Sequence, residues 1–365
     1  MKVQEIVDVL AAAAPPAYQE AYDNAGLLTG DPAWEVQGIL LTLDVTEAVV
    51  EEAVRQHCNM IVAHHPLIFR GLKRLTGANG VERTVIAALK QDIALYAAHT
   101  NLDNVADGVN RQICERLGLT DCQILVPQRG RLQKLCTFVP LAQAEQVRSA
   151  LFAAGAGQIG SYSESSFNVQ GTGTFKAGAG SHPYVGQQGE RHREPEEKIE
   201  VIFPAVLQGA LVTALKEAHP YEEVAYDIIA LENASAAIGS GMIGMLPKPM
   251  EEIAFLKKIK EQMQADGIRY TALRGRPVQR VAVCGGAGSF LLPAAQKAGA
   301  DVFVTADFKY HEFFEADGRL VVADIGHYES EQFTIEIFYQ IITRKFRNFA
   351  PLKSKTRTNP INYLH

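Results

Sequence analysis

Two adjacent histidines follow a short apolar segment of the sequence. Met60–Ala63 is continuously apolar, which is typical of a strand buried on both faces, and Pro66 ends the strand because it has no N–H to donate. His64 and His65 therefore lie at the carboxyl end of the predicted strand and point different ways. Each imidazole could bind its own metal ion. The alternative is one packed histidine and one solvated histidine.

Two later apolar runs, each predicted to be a strand, end in a similar way. One is followed by His99 and Asp103, and the other by His327 and Glu331, which share a face of the helix that begins there. Functional sites of open α/β sheets collect beyond the carboxyl ends of strands, and packing alone hardly explains three such endings. The alternatives are a helix-capping role for Asp103 and a helix-dipole role for Glu331.

Imidazoles and carboxylates without a thiolate are ligands that suit Zn²⁺, Fe²⁺, Mn²⁺ or Co²⁺. The candidate set is His64, His65, Asp103, His327 and Glu331. A bridging carboxylate would allow two ions to lie about 3.5–4 Å apart, as in two-metal hydrolases, and water held between them could attack a phosphoryl or amidine-type centre.

The composition is that of an ordinary globular protein. The chain has 365 residues, of which 47% are hydrophobic and 21% charged, so two or three domains are expected. The net charge of −6 argues against a nucleic-acid partner, and no apolar stretch reaches the ~20 residues that span a bilayer. The N-terminal segment predicts an amphipathic helix rather than a signal peptide, and the five scattered cysteines favour a reducing compartment. We expect a soluble cytoplasmic protein with no membrane contact.

The pattern of predicted elements divides the chain into three segments. Residues 1–130 and 236–365 alternate strands and helices, which predicts an α/β body in two halves with mixed or parallel sheets. Residues 131–235 follow the order β-α-β-β-α-β, a ferredoxin-like insert. The glycine-rich segment 239–244 is expected to be a linker. A second one, 285–289, is either a phosphate-binding loop or a tight turn, since it lacks a Walker lysine and the full dinucleotide motif.

The motifs around these residues resemble those of the NIF-three-like family, also named GTP cyclohydrolase I type II homologues. The resemblance covers nearly the whole chain and rests on Asp23-Asn24-Ala25-Gly26-Leu27, Ala63-His64-His65-Pro66, His99-Thr100-Asn101-Leu102-Asp103, Thr305-Ala306-Asp307, Asp324-Ile325-Gly326-His327 with Glu331, and Thr358-Asn359-Pro360-Ile361. It implies a dinuclear metal site carried by His64, His65, Asp103, His327 and Glu331, with His99 beside the metals to handle protons. It also implies a toroidal homohexamer whose metals face an internal cavity.

The middle segment resembles the longer bacterial branch of that family, in which the insert is similar to PII and CutA-type proteins. This likeness rests on His219-Pro220-Tyr221-Glu222-Glu223 with Tyr226-Asp227. It implies that the insert caps the ring, with small-ligand sensing as the alternative.

Two functions are consistent with this sequence. One is a metal-dependent hydrolase of a nucleotide or phosphorylated small molecule, since the family label implies opening of the purine ring of GTP. The other is a non-enzymatic protein that binds or delivers metal or serves as a regulatory interaction platform.

Overall fold

The apolar runs of residues 1–127 form short strands that alternate with helices in a computed structural model, which describes residues 1–364. Thr46 and Asn79 accept backbone N–H groups at the starts of the second and third helices, as N-caps do. The helices are α1 (Val3–Ala13), α2 (Glu47–Arg55), α3 (Gly80–Lys90), α4 (Thr100–Asp103) and α5 (Val109–Leu117), and the strands are β1 (Gly26–Thr29), β2 (Ile39–Thr42), β3 (Met60–Ala63), β4 (Ala94–Ala97) and β5 (Thr120–Pro127).

The middle of the chain, Gln128–Ala236, forms a unit with a core of its own. Its elements are β6 (Leu132–Pro140), α6 (Ala144–Ala153), β7 (Phe167–Lys176), β8 (Arg191–Pro204), α7 (Gln208–Ala218) and β9 (Tyr226–Leu231). The sheet order is β7-β8-β6-β9, with every neighbouring pair antiparallel. Leu135 and Val201 on one face of this sheet pack against Val147 of α6 and Leu211 of α7.

The remaining chain completes the unit that contains Met1–Pro127. Its elements are β10 (Gly239–Met250), α8 (Glu252–Gln262), β11 (Arg269–Tyr270), β12 (Val278–Ala287), α9 (Leu292–Lys297), β13 (Val302–Ala306), β14 (Val321–Asp324), α10 (His327–Glu331), α11 (Thr334–Lys345) and β15 (Leu352–Lys353). Short 3-10 helices lie at Pro16–Tyr18, Leu141–Gln143, Ala205–Leu207, Ser289–Leu291 and Glu312–Ala316.

The glycine-rich segment 239–244 is a strand, so its assignment as a linker is wrong. It begins β10, which pairs with β5 on one side and β12 on the other. A side chain at Gly239 would begin 2.2 Å from the carbonyl oxygen of Val126, and one at Gly244 would begin 2.8 Å from Cys122 Sγ. These glycines allow close approach of neighbouring strands, a role that composition does not distinguish from flexibility.

Two sheets form the body of this unit. The first has the order β1-β4-β3-β2-β15, in which all neighbours are parallel except β1 and β4. The second has the order β11-β14-β13-β12-β10-β5, with β12, β13 and β14 parallel. This confirms a mixed α/β fold with mixed and parallel sheets.

The central strands β2, β3, β4, β13 and β14 are buried along their whole length, which explains why they are almost entirely apolar. The edge strands β5, β11 and β15 are largely exposed. Alternate residues such as Leu41 and Val62 of the first sheet and Val283 of the second join one core with α1, α5, α8 and α11. Leu40 and Ile61 face the other way, toward α2 and α3. The rigid strands therefore hold their carboxyl ends in place, and the polar residues that follow inherit that position. Among the described residues, no helix is both long and apolar enough to cross a lipid bilayer.

Candidate metal centre

His64 and His65 leave the end of β3 in a turn held by one carbonyl group. The backbone N–H groups of both residues donate to the Leu43 carbonyl oxygen, at 3.2 and 3.0 Å. The ring of His64 is fully buried, and its Nδ1 lies 2.8 Å from the carbonyl oxygen of Ala98. A carbonyl only accepts, so Nδ1 carries a proton and donates it, which leaves Nε2 to face the other side of the ring.

His65 is held from behind by Asp44, which follows β2, the parallel neighbour of β3. His65 Nδ1 lies 2.7 Å from Asp44 Oδ1, and Thr358 Oγ1 donates to Asp44 Oδ2 at 2.5 Å. Burial alone would raise the pKa of Asp44, but the bond from His65, the charge of His65 and the bond from Thr358 together lower it. Burial would lower the pKa of His65, whereas the bonds to Asp44 and Glu331 raise it to about 9. The site therefore carries a strong negative potential.

The short helix α10 brings His327 and Glu331 to the same point. Glu331 Oε2 lies 2.9 Å from His65 Nε2 and 3.0 Å from His327 Nε2, and the two Nε2 atoms are 3.4 Å apart. Asp307, after β13, holds His327 Nδ1 at 2.6 Å, as Asp44 holds His65. Although burial opposes it, the charge of Glu331 and the bond to Asp307 raise the pKa of His327 to about 11.

The second oxygen of Glu331 faces a different pair of groups. Glu331 Oε1 lies 3.7 Å from His64 Nε2, which is itself 3.5 Å from Asp103 Oδ1. Asp103 is the last residue of α4, whose N-cap position is occupied by His99, so Asp103 does not cap this helix. Burial and the charge of Glu331 raise the pKa of Asp103 to about 8. Burial would also raise the pKa of Glu331, but His327 and His64 hold it well below its usual range.

His99 lies beside this cluster without joining it. Its ring centroid is 5.4 Å from those of both His64 and His65. Its Nδ1 lies 2.7 Å from Asp23 Oδ1, and Asp23 also accepts bonds from the N–H and hydroxyl of Thr100 at 3.0 and 2.5 Å. These bonds from His99 and Thr100 lower the pKa of Asp23 to about 2 against the effect of its burial. A carboxylate thus fixes the orientation of the His99 ring.

The donor set fits a divalent metal ion. His64, His65 and Glu331 each offer an atom within 4.8 Å of the others. His64 Nε2 and Asp103 Oδ1 are buried polar atoms without a hydrogen-bond partner among the described residues, which is costly unless an ion or water binds them. Among residues 1–364, no lysine or arginine forms an ion pair with the carboxylate of Asp103 or Glu331. Two acidic groups and three imidazoles therefore converge without a lysine or arginine to neutralise the acids.

The glycine-rich segment 285–289 belongs to the wall of this site. Gly286 has φ +61°, and a Cβ there would lie 2.5 Å from Glu331 Oε1. The N–H of Gly285 donates to Asn110 Oδ1 and that of Gly286 to Ser330 Oγ. Because two of its amides are engaged within the protein, the segment is better described as a tight strand end than as a phosphate-binding loop.

The structure brings the five candidate ligands together with His99 beside them, and it reveals acids behind the histidines to which the sequence analysis gave no role. Asp44 and Asp307 orient His65 and His327, and Asp23 orients His99. Carboxylates of this kind fix the tautomer of a metal-binding histidine. A signal was present, since Asp44 and Asp307 each follow a buried parallel strand, as His64 does. Which ring each acid meets is a tertiary property that strand ends alone do not reveal.

Comparison with known proteins identifies the family of this chain. The sequence pattern of Duf34/NIF3 (NGG1p interacting factor 3) matches residues 1–360. A protein of Bacillus subtilis named "GTP cyclohydrolase 1 type 2 homolog" is 38% identical over 371 residues, covering 99% of this chain and 98% of that protein. A protein of the same name from Halalkalibacterium halodurans is 36% identical, with 99% and 98% covered. The crystal structure of a Bacillus cereus protein related to NIF3 has a TM-score of 0.88 and 36% identity, covering 100% of this chain and 99% of that one. The chain belongs to the Duf34/NIF3 family.

Proposed function

We propose that this protein holds two divalent metal ions, Zn, Fe, Mn or Co, and hydrolyses a nucleotide or another phosphorylated small molecule. The division of Glu331 between two groups of donors carries this proposal. Its Oε2 faces His65 and His327, whereas its Oε1 faces His64 and, beyond it, Asp103. A carboxylate with one oxygen toward each group suits a bridge between two ions. The name of the Bacillus subtilis relative supports a nucleotide substrate.

The surrounding residues prepare the site before any substrate arrives. Ala98, Asp44 and Asp307 accept the Nδ1 protons of the three histidines, so the three Nε2 atoms can face the ions. Two divalent ions would supply Lewis-acid activation of water and of a substrate oxygen near neutral pH.

His99 is the group that we assign to proton transfer. With its Nδ1–H donated to Asp23, its Nε2 can take a proton from attacking water and return it to a leaving group. The variant His99→Gln tests this role, because it should lower turnover while leaving the metal content unchanged.

The test of the function joins metal analysis to a substrate screen. Protein purified without chelators or added metal is analysed for bound metal, then loaded in turn with Zn, Mn, Fe and Co and assayed on nucleotides and phosphoesters. His64→Ala and Glu331→Gln should lose both metal and turnover. His182→Ala is the matched control, because that side chain is 90% exposed and belongs to the other unit.

Two outcomes would contradict the proposal. Retained metal in both site variants would show that the ions bind elsewhere. Bound metal without turnover on any substrate would exclude the hydrolase and favour a metal-delivery or regulatory protein.

We further propose a cytoplasmic toroidal homohexamer, with residues 131–235 as a ferredoxin-like, PII- or CutA-like insert that caps the ring. The antiparallel order β7-β8-β6-β9, with both helices on one face, supports such an insert. Light scattering should give six times the monomer mass of 39.8 kDa. A monomer or dimer at micromolar concentration would contradict this assembly.

A further inference from the structure

Two aromatic side chains lie in contact with each other at the solvent-exposed side of the metal centre. Tyr22 is 66% exposed and Phe69 is 41% exposed, although large aromatic side chains are stabilised when they are buried. Their ring centroids are 6.3 Å apart with the planes inclined by 54°. Other aromatic residues of the chain are exposed as well, so exposure alone assigns no role. The location of this pair distinguishes it.

The pair is linked to the candidate ligands by ring contacts. The ring of Phe69 meets that of His99 edge to face, with centroids 6.1 Å apart. The ring of His99 in turn lies 5.4 Å from those of His64 and His65. A continuous series of rings therefore leads from the metal centre to Tyr22 at the surface.

The backbone beneath the pair is held in place by polar contacts. Asn24 Nδ2 donates to the carbonyl oxygen of Ile68 at 2.5 Å, which joins the loop that carries Tyr22 to the loop that carries Phe69. Asp23, between Tyr22 and Asn24, accepts the bonds from His99 and Thr100 described above. The backbone that carries the two rings is thus fixed relative to His99 before a ligand binds, which lowers the entropic cost of using the rings for recognition.

We propose that Tyr22 and Phe69, here called the aromatic ledge, stack against the planar heteroaromatic ring of the substrate while its polar reacting end lies at the metal centre. This inference rests on the proposed function and narrows it, because a sugar phosphate has no planar aromatic ring to place there. Aromatic faces attract any flat π-system and discriminate weakly between bases. The ligand class is therefore a phosphate that carries a heteroaromatic ring, such as a nucleotide. The aromatic ledge does not select among the bases.

The test compares two probes that share a ribose phosphate and differ in whether they carry a purine base. Calorimetry measures the binding of guanosine 5′-monophosphate and ribose 5-phosphate to the metal-loaded protein. The wild type should bind the nucleotide at least about tenfold more tightly, the effect expected of one stacked base. Tyr22→Leu and Phe69→Leu should each cut that preference to within about threefold and leave the affinity for ribose 5-phosphate unchanged. Tyr162→Leu makes the same change at a 77% exposed residue of the other unit and should keep the preference.

Four outcomes would overturn the proposed role of the aromatic ledge, the first three of them in the binding measurement. These are equal binding of the two probes to the wild type, no binding of the nucleotide at millimolar concentration, and a preserved preference in both ledge variants. A fourth is a changed mass in light scattering for both ledge variants but not for Tyr162→Leu, which would make the pair a subunit contact. The failures are separable, because the ledge is measured by binding and the proposed function by turnover and metal content.

Discussion

The carboxylate behind His65 allows a sharp test of the metal centre. Asp44→Asn keeps the shape of the side chain and removes its charge, while the new amide can still meet Thr358. Asp44 Oδ1 lies 2.7 Å from His65 Nδ1, a short distance typical of a charge-assisted hydrogen bond. Because the pKa of Asp44 is lowered, the wild-type side chain is fully ionised at neutral pH and the substitution removes a whole charge.

The expected magnitude follows from how Asp44 acts. It touches no proposed ion and works only by fixing the His65 tautomer and making its Nε2 a better donor. Loss of such a partner weakens metal binding by about 10- to 100-fold, or about 1.4–2.7 kcal/mol. We expect the weakening in only one of the two ion sites, since His64 relies on the carbonyl of Ala98 instead.

Competition with a chromophoric chelator at neutral pH measures the affinity of Asp44→Asn, His65→Ala and the double variant. If Asp44 acts through His65, the double variant binds metal no more weakly than His65→Ala. Asp317→Asn is the matched control, because its carboxylate is 71% exposed. Affinity within twofold of wild type for Asp44→Asn, or additive losses in the double variant, would refute the reasoning.

Three further perturbations test the unit that holds the site. Glu52→Gln should lower the free energy of unfolding in urea by about 2 kcal/mol, because buried Glu52 accepts four hydrogen bonds from residues 354–356. Although burial opposes it, these bonds lower the pKa of Glu52 below its ordinary 4.5, so the wild-type advantage should be complete above that pH and vanish as pH falls further; a pH-independent difference would contradict this. Gly286→Ala should weaken metal binding in the chelator assay by about tenfold through contact with Glu331, whereas Gly318→Ala, at φ +65° with nothing nearby, should add backbone strain alone and leave the affinity unchanged. Protein in free metal at 100 times the Kd should be about 2.7 kcal/mol more stable than protein from which the metal has been removed. An unchanged midpoint of thermal unfolding in calorimetry would exclude an ion site in the folded state.

The local sequence pattern was sufficient to predict most strands of the α/β body. Met60–Ala63 and Ala94–Ala97 are strands because both of their faces are buried, and continuous apolar runs record that directly. The prediction that the glycine-rich segment 239–244 is a linker was wrong for a related reason. Its glycines serve close strand contact, and only the positions of β5 and β12 on either side reveal this.

The proposed ligands illustrate the same division. The structure brings His64, His65, Asp103, His327 and Glu331 together, and their metal-binding role stays a prediction for the experiments above. Asp103 shows the limit of local reasoning, since a carboxylate after a strand is equally suited to capping a helix. Its buried, unpartnered Oδ1 beside His64 separates these readings, and that is a property of the assembled site.

The sequence by itself determined where the strands end and which side chains follow them, because apolar runs and the prolines and glycines that interrupt them act over a few residues. It also determined the family, through motifs spread along the chain. Only the tertiary structure decided that Asp44 and Asp307 support His65 and His327, and that the two oxygens of Glu331 face different partners. The physical reason is distance along the chain. His65 and Glu331 are 266 positions apart and meet only because two separate sheets place their ends at one point.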